Sequence, residues 1–288
     1  MFQNILKKFG NIDFYNLALR LTLLDLILKP IGSWEIRVPV LITSILGLVI
    51  PGLLKNPVIW FLLTGFTLSR VIFDWPLSDN HAYLLFIWCF VIFISTLRKD
   101  KILLTKNAKL MIGLVFCFAF IWKAFLSPDF LDKRFFSVAM VEDPRFSEFT
   151  QLTCNISEYE LYDFRDYITQ HVDGKLLNGN VVNFNLGCID KISGFLTYYT
   201  LILELLVALF FLIPKKLAIS KYRDYFLILF CISIYSVATV EGFGWLLIAM
   251  GISQSDNKKL PILLYILSFF IILFYREVSV LNIILEQF

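Results

Sequence analysis

Proton transfer away from bulk water needs an ionisable side chain set in apolar surroundings, and this chain offers few. One is His81, one of two histidines. It lies in Asp74-Trp-Pro-Leu-Ser-Asp-Asn-His-Ala-Tyr83, a short polar island that opens directly onto LLFIWCFVIFI. An imidazole there suits a general base, a proton relay or a hydrogen-bond partner for a polar lipid headgroup. It equally suits a histidine that only satisfies local groups at a helix start, with Asp79 or Asn80 as the cap.

The other candidates are charges inside apolar runs: Arg20, Asp25, Arg70, Lys123, Glu204 and Glu241. A charge at a helix centre costs about 2.5–3.5 kcal/mol on insertion scales, so those retained are usually paired or functional. Glu204 is the deepest, midway through LTYYTLILELLVALFFLI; its structural alternative is an ion pair with Arg20 or Arg70. Glu241 stands beside Gly242 and Gly244, which let a second helix approach closely. Lys123 is near the outer end of its run, where a lysine also snorkels to the surface.

The elements that must hold these residues are apolar helices. The chain has 288 residues, 58% of them hydrophobic, and a mean hydropathy of +0.75. Its apolar residues come in long runs, which define a polytopic all-α membrane protein. The ten-residue alternating segments of a β-barrel are absent. Eight spans are predicted, near 14–28, 38–54, 58–73, 82–97, 110–126, 194–213, 225–250 and 260–275. This divides the chain into five helices over residues 1–126, a polar segment over 127–193, and three helices with a tail over 194–288. Basic loops at Arg98–Lys109 and Lys215–Arg223 face the cytoplasm by the positive-inside bias. Both termini are then cytoplasmic and the polar segment lies outside, in what reads as a bacterial inner (plasma) membrane. Lys258 and Lys259 fall on the wrong side of this scheme.

The polar segment reads as a small α+β or irregular cap. A helix is expected from Ser157, with Glu160 three residues on completing a capping box. Turn signals at Asp173-Gly174 and Asn178-Gly179 suggest a hairpin. Cys154 and Cys188 are the only cysteines in this segment and are expected to form a disulfide; the alternative is two buried thiols. Cys89, Cys117 and Cys231 lie in apolar spans and read as packed hydrophobes. No metal-ligand spacing is present, and nothing in the charge pattern suggests a nucleic acid partner.

DWPLSDNHAYLLFIW resembles the signature of the membrane domain of vitamin K-dependent γ-carboxylases, the HTTM domain. There an Asp near a helix end precedes by seven positions the His of an Asn-His-x-Tyr-Leu motif; Asp74, Asn80, His81, Tyr83 and Leu84 match it. LALRLTLLD with Arg20 is similar to the family's first helix, and FIWKAFLSPDFLDKRFF with Asp129-Phe130, LILELLVALFFLIP with Glu204, and VATVEGFGWLLIAM with Glu241 are similar to later family segments, in order. The resemblance implies a pocket lined by His81, Lys123 and Glu204 as catalytic groups, with Asp74, Asn80, Tyr83, Arg20 and Glu241 around a quinone or another lipid. It departs in several places, and a histidine common in a later carboxylase helix has no counterpart in FLILFCISIYSVA. The family's carboxylases use a lysine base whose position falls on Phe125 in an ungapped alignment, two residues from Lys123. The large C-terminal lumenal domain of the carboxylases is absent, so γ-glutamyl carboxylation is not carried over; short bacterial SdpB-like members, implicated in maturing secreted peptide toxins, are closer in size.

Three readings stay open. One is a membrane-embedded enzyme or maturation factor acting on a quinone-like lipid or secreted peptide near the outer face. A second is a non-catalytic membrane subunit that anchors or recognises a secreted or periplasmic protein through residues 127–193. A transporter, suggested only by intramembrane charges, comes last, because no inverted repeat of broken helices is evident.

Overall fold

The computed structural model describes residues 13–172, 186–235, 237–238, 240–255 and 259–277. Every regular element among them is helical. The bundle comprises α1 (Phe14–Leu28), α2 (Trp34–Val49), α3 (Pro57–Phe73), α4 (Asn80–Arg98) and α5 (Lys101–Ile121), then α9 (Leu186–Leu212), α10 (Arg223–Tyr235), α11 (Glu241–Gln254) and α12 (Lys259–Glu277). Between α5 and α9 lie the cap helices α6 (Arg134–Glu142), α7 (Ser147–Cys154) and α8 (Glu158–Val172). Three stretches, Asn80–Arg98, Lys101–Leu126 and Gly187–Leu212, are long and apolar enough to cross a membrane.

Local sequence sets the helix boundaries. Asp13, Asn56, Asp79 and Asp100 cap α1, α3, α4 and α5, each accepting hydrogen bonds from backbone N–H groups of the first turn, donors that would otherwise be unsatisfied. Pro57 opens α3, where its missing N–H costs nothing. Lys99 takes a left-handed conformation, φ 54°, and ends α4. The predicted basic loop over Arg98–Lys109 is therefore mostly helix: two residues link α4 to α5, and the lysines line the first turns of α5.

One core binds the bundle. Trp60, Trp88, Trp245, Tyr265, Phe116 and Phe211 are fully buried in it. The buried indole N–H groups are paired, Trp60 to the Leu54 carbonyl at 2.8 Å, Trp88 to the Thr22 hydroxyl at 3.0 Å and Trp245 to the Phe269 carbonyl at 3.3 Å, as burial of a polar group requires. The outer faces stay apolar in mid-helix: Phe61, Phe118, Ile202 and Phe270 are all at least 59% exposed. Such a belt on so many helices is an apolar surface far beyond the scattered residues of a water-soluble bundle.

The predicted span over residues 225–250 is instead a helical hairpin. The chain turns after Tyr235, and α11 runs back along α10. The two ends meet again in a fully buried cluster: Arg223 Nε donates to Gln254 Oε1 at 2.6 Å, Gln254 Nε2 to Asp224 Oδ1 at 2.5 Å, and the Tyr265 hydroxyl to the same oxygen at 3.2 Å. Each arm, 13 and 14 residues, is about 20 Å long at 1.5 Å per residue. Thr105 on α5 donates to the Ser253 carbonyl at 2.9 Å, and Lys109 to the Ile213 carbonyl at 2.8 Å. Lys101, Lys109, Lys215, Arg223 and Lys259 therefore gather at one end of the bundle. This removes the misplaced lysine of the eight-span scheme and reverses α12, which runs from the basic end toward the cap. The C-terminal end of the described chain thus lies at the cap end of the bundle.

The cap is helical where described; the expected hairpin signals at 173–174 and 178–179 fall outside the described residues. Ser157 and Glu160 form the predicted capping box, with Glu160 N donating to Ser157 Oγ at 3.2 Å and Ser157 N to Glu160 Oε2 at 2.7 Å. The cap's small core of Phe130, Phe136, Met140, Phe146 and Leu161 continues onto Leu196 and Leu201 of α9 and onto Ala238 of the hairpin turn. The expected Cys154–Cys188 disulfide is present, with Cα atoms 5.7 Å apart, and joins α7 to the start of α9.

Candidate functional site

Lys123 is placed by a change of helix type. After Ile121 the helix widens into a π turn, Trp122–Leu126, a rare geometry that is often found at functional sites. Its neighbours Phe118, Trp122 and Phe125 point outward, Phe125 at 74% exposure, while Lys123 turns into the protein. The snorkelling alternative therefore fails. Lys123 Nζ reaches Glu204 Oε1 at 2.5 Å and stands 5.0 Å from the centroid of the Phe130 ring. The Lys123 side chain is 26% exposed and that of Glu204 5%. Neither Arg20 nor Arg70, the partners expected for Glu204, takes that place. Arg70 pairs with Asp74 at 3.4 Å and Asp79 at 3.3 Å. Arg20 is exposed on α1 and lines neither cavity described below.

The pair lines a chamber of about 290 Å³ that also reaches His81. Aromatic rings from the cap (Phe130, Phe136, Phe146) roof it, Thr200 and Leu196 of α9 form one wall, and Tyr235, Val237, Ala238 and Val240 of the hairpin turn form the floor. On its wall, the Glu204 Oε2 atom and the Thr200 hydroxyl are buried without a hydrogen-bond partner among the described residues. Leaving such groups unpaired costs about 1–3 kcal/mol each, so that wall carries uncompensated polar atoms among the described residues.

His81 separates this chamber from a second, more polar one. Its ring packs on Phe243 with centroids 4.3 Å apart. The far side is a cavity of about 250 Å³ bordered by Asp25, Lys29, Arg70, Asp79 and Arg145. Asp79 caps α4 through Ala82 N at 2.7 Å, so the capping alternative holds for Asp79, and His81 Nδ1 stands 4.0 Å from the same carboxylate. Arg145, from the cap, borders both cavities. Its guanidinium hydrogen bonds to Asp143 hold that carboxyl below its ordinary value.

Of the residues singled out in the sequence, His81, Lys123 and Glu204 converge. Asp74, Asn80 and Tyr83 sit at the adjoining turn and first turn of α4 but line neither cavity. Glu241 opens α11 at the hairpin turn; its side chain lies outside the described set. The glycines beside it do allow close approach, since a Cβ on Gly242 would meet Lys29 Cγ at 3.0 Å and one on Gly244 would meet Tyr235 at 3.0 Å. Sequence reasoning missed Arg145, Lys29, Thr200 and the cap phenylalanines. Arg145 carried no signal, because only the fold brings it over His81. Comparison with protein-family models, with characterised proteins and with solved structures finds no match for this chain.

Proposed function

We propose that this chain is an integral membrane protein whose outer-side chamber binds an amphipathic molecule of the quinone class and moves a proton to or from its polar end. The observation that carries the reading is the Lys123–Glu204 pair facing an aromatic-walled chamber with two unpartnered polar atoms, Glu204 Oε2 and Thr200 Oγ1. An ammonium–carboxylate pair set among rings can exchange a proton with a bound hydroxyl or carbonyl, because a proton passed from Lys123 to Glu204 neutralises both partners together and strands no buried charge. The rings supply a flat apolar bed for a ring-shaped ligand. His81, at the partition between the chambers, is the group that would relay the proton onward toward the polar cavity.

The reading sets the basic end in the cytoplasm and the cap outside, in a bacterial inner membrane. α1–α5, α9 and α12 are then seven crossings, and α10–α11 is a re-entrant hairpin, its arms shorter than the roughly 30 Å hydrocarbon core. Irregular backbone at the hairpin turn is acceptable there because it borders a chamber rather than lipid. The HTTM resemblance motivates this reading through Glu204 and His81; its lysine position falls on Phe125, which faces outward, while Lys123 on the same π turn faces Glu204.

Binding of a short-chain naphthoquinone, followed by tryptophan quenching in detergent, tests the reading. Wild type should saturate, Lys123→Met and Glu204→Gln should each weaken binding at least tenfold, and Phe125→Ala, on the outer face, should not. Absence of saturable binding, or equal loss in Phe125→Ala, would sink it.

A second reading, a non-catalytic subunit that recognises a secreted or periplasmic protein or peptide, draws on Tyr159 and Tyr162, exposed three residues apart on α8. Co-purification of a stoichiometric partner, lost in Tyr159→Ser/Tyr162→Ser, would favour it over the first.

A further inference from the structure

Behind His81, the polar cavity of about 250 Å³ contains a carboxylate that the partition alone does not use. Asp25 of α1 lines it and is only 4% exposed. Among the described residues its carboxylate makes no hydrogen bond and no ion pair. Gly242 of α11 leaves it uncovered: a Cβ there would stand 3.6 Å from Asp25 Oδ1 and 3.0 Å from Lys29 Cγ. A buried carboxylate needs a donor, and the cavity can supply one as water or as a proton. The space admits several waters, each of which needs about two to four polar partners. Asp25, Lys29, Arg70, Asp79, His81 and Arg145 surround them.

Asp79 is the rival acceptor for a proton leaving His81, since its carboxylate stands 4.0 Å from His81 Nδ1. It is already engaged, accepting from Ala82 N at 2.7 Å and from Arg70 at 3.3 Å. A proton on Asp79 would weaken both bonds, whereas Asp25 has none to lose. We propose that Asp25 is the proton acceptor behind His81, reached through a short file of cavity water. The proposal rests on the function given above and names where that proton goes. For a bound hydroquinone, one O–H bond breaks and leaves an oxyanion facing the Lys123 ammonium. One O–H bond forms on the Asp25 carboxyl. Glu204, His81 and each water take up one proton and give up one, so no electron moves and no co-reactant is needed. Asp25 acts through His81 without touching the ligand, which makes it a positioning residue.

Infrared difference spectroscopy of the full chain in detergent reads the acceptor directly. A short-chain naphthohydroquinone is added under nitrogen, and tryptophan quenching follows its binding in parallel. Wild type should gain a carboxylic acid C=O band that moves when the protein's aspartates are isotopically labelled at the side-chain carboxyl. A gain confined to bands that ignore the label would leave the proton on a glutamate, Glu204 included, and overturns the proposal. That arm uses wild type alone and holds even where a variant fails to fold. Asp25→Asn should bind and lose the band, Asp25→Glu should return a band that ignores the aspartate label, and His81→Phe should bind without it. Asp79→Asn should keep the band. Its loss there with retention in Asp25→Asn makes Asp79 the acceptor and overturns the proposal, as does a full band in His81→Phe. Binding to wild type with no carboxyl band removes the relay and leaves the chamber's ligand standing; absence of binding to wild type removes both.

Discussion

Breaking the Lys123–Glu204 pair from either side should destabilise the protein, and breaking it from both sides should not. Glu204 is nearly enclosed, and the second oxygen of its carboxylate already lacks a partner. Lys123→Met removes the only cation hydrogen-bonded to it among the described residues. The carboxylate must then be held unpaired or take up a proton, and removal of one member of a buried pair typically costs about 3–5 kcal/mol. For Glu204→Gln the cost falls toward the lower end, because Lys123 keeps some exposure and the Phe130 face. The double variant Lys123→Met/Glu204→Gln leaves no buried charge and should recover most of the loss. At roughly 2–4 °C per kcal/mol, the Lys123→Met midpoint should fall by about 6–20 °C. A double-mutant cycle of thermal unfolding in detergent reads this directly. A Lys123→Met midpoint within 2 °C of wild type would refute the reasoning, as would a double variant no better than either single one.

Three further outcomes follow from the packing and the cap. Gly251→Ala should lower stability by about 1–3 kcal/mol, since its Cβ would come within 2.6 Å of the Tyr265 ring, while Gly65→Ala, with nothing within 4 Å, should be neutral or slightly stabilising in the same unfolding assay. Reducing Cys154–Cys188, separated by 34 residues, should cost the cap about 3–4 kcal/mol in the chain-entropy model, seen as faster proteolysis within residues 134–166 and unchanged protection of α4 and α5. Asp143 titrates below its ordinary 3.8 because Arg145 hydrogen-bonds it, so its contribution is complete above about pH 4 and is lost as pH falls through the lower folded value. Partly exposed as the pair is, the effect is at most about 1 kcal/mol; phosphine reduction of the disulfide should accelerate below pH 4, and Asp143→Asn should flatten that dependence.

The elements that obey local rules were legible in the sequence. α1 begins and ends as its apolar run does, Ser157 and Glu160 cap α8 as their spacing demands, and Cys154 and Cys188 pair because the polar segment offers no other choice. The hairpin was not. Tyr225–Met250 has no proline and one charge, Glu241, and hydropathy averaged over the run does not show that the chain doubles back between Tyr235 and Glu241. The clue was the stray Lys259, which the eight-span scheme set apart from the other basic clusters and which the reversal brings to their end of the bundle. The site divided along the same line. His81, Lys123 and Glu204 announced themselves as rare polar groups in apolar runs. The inward aim of Lys123 depends on a π turn with no sequence signature, and Arg145 with the roofing phenylalanines enters only through the tertiary position of the cap.

The central claim is that the chamber holds an amphipathic molecule against Glu204. A high-resolution density map of the full chain in lipid nanodiscs tests it most directly. The account predicts elongated non-protein density between the Phe130, Phe136 and Phe146 rings, with its polar end within hydrogen-bond distance of Glu204 Oε2 and the Thr200 hydroxyl. A chamber closed by side chains, or a Lys123 turned outward to the membrane surface with Glu204 paired elsewhere, would contradict it.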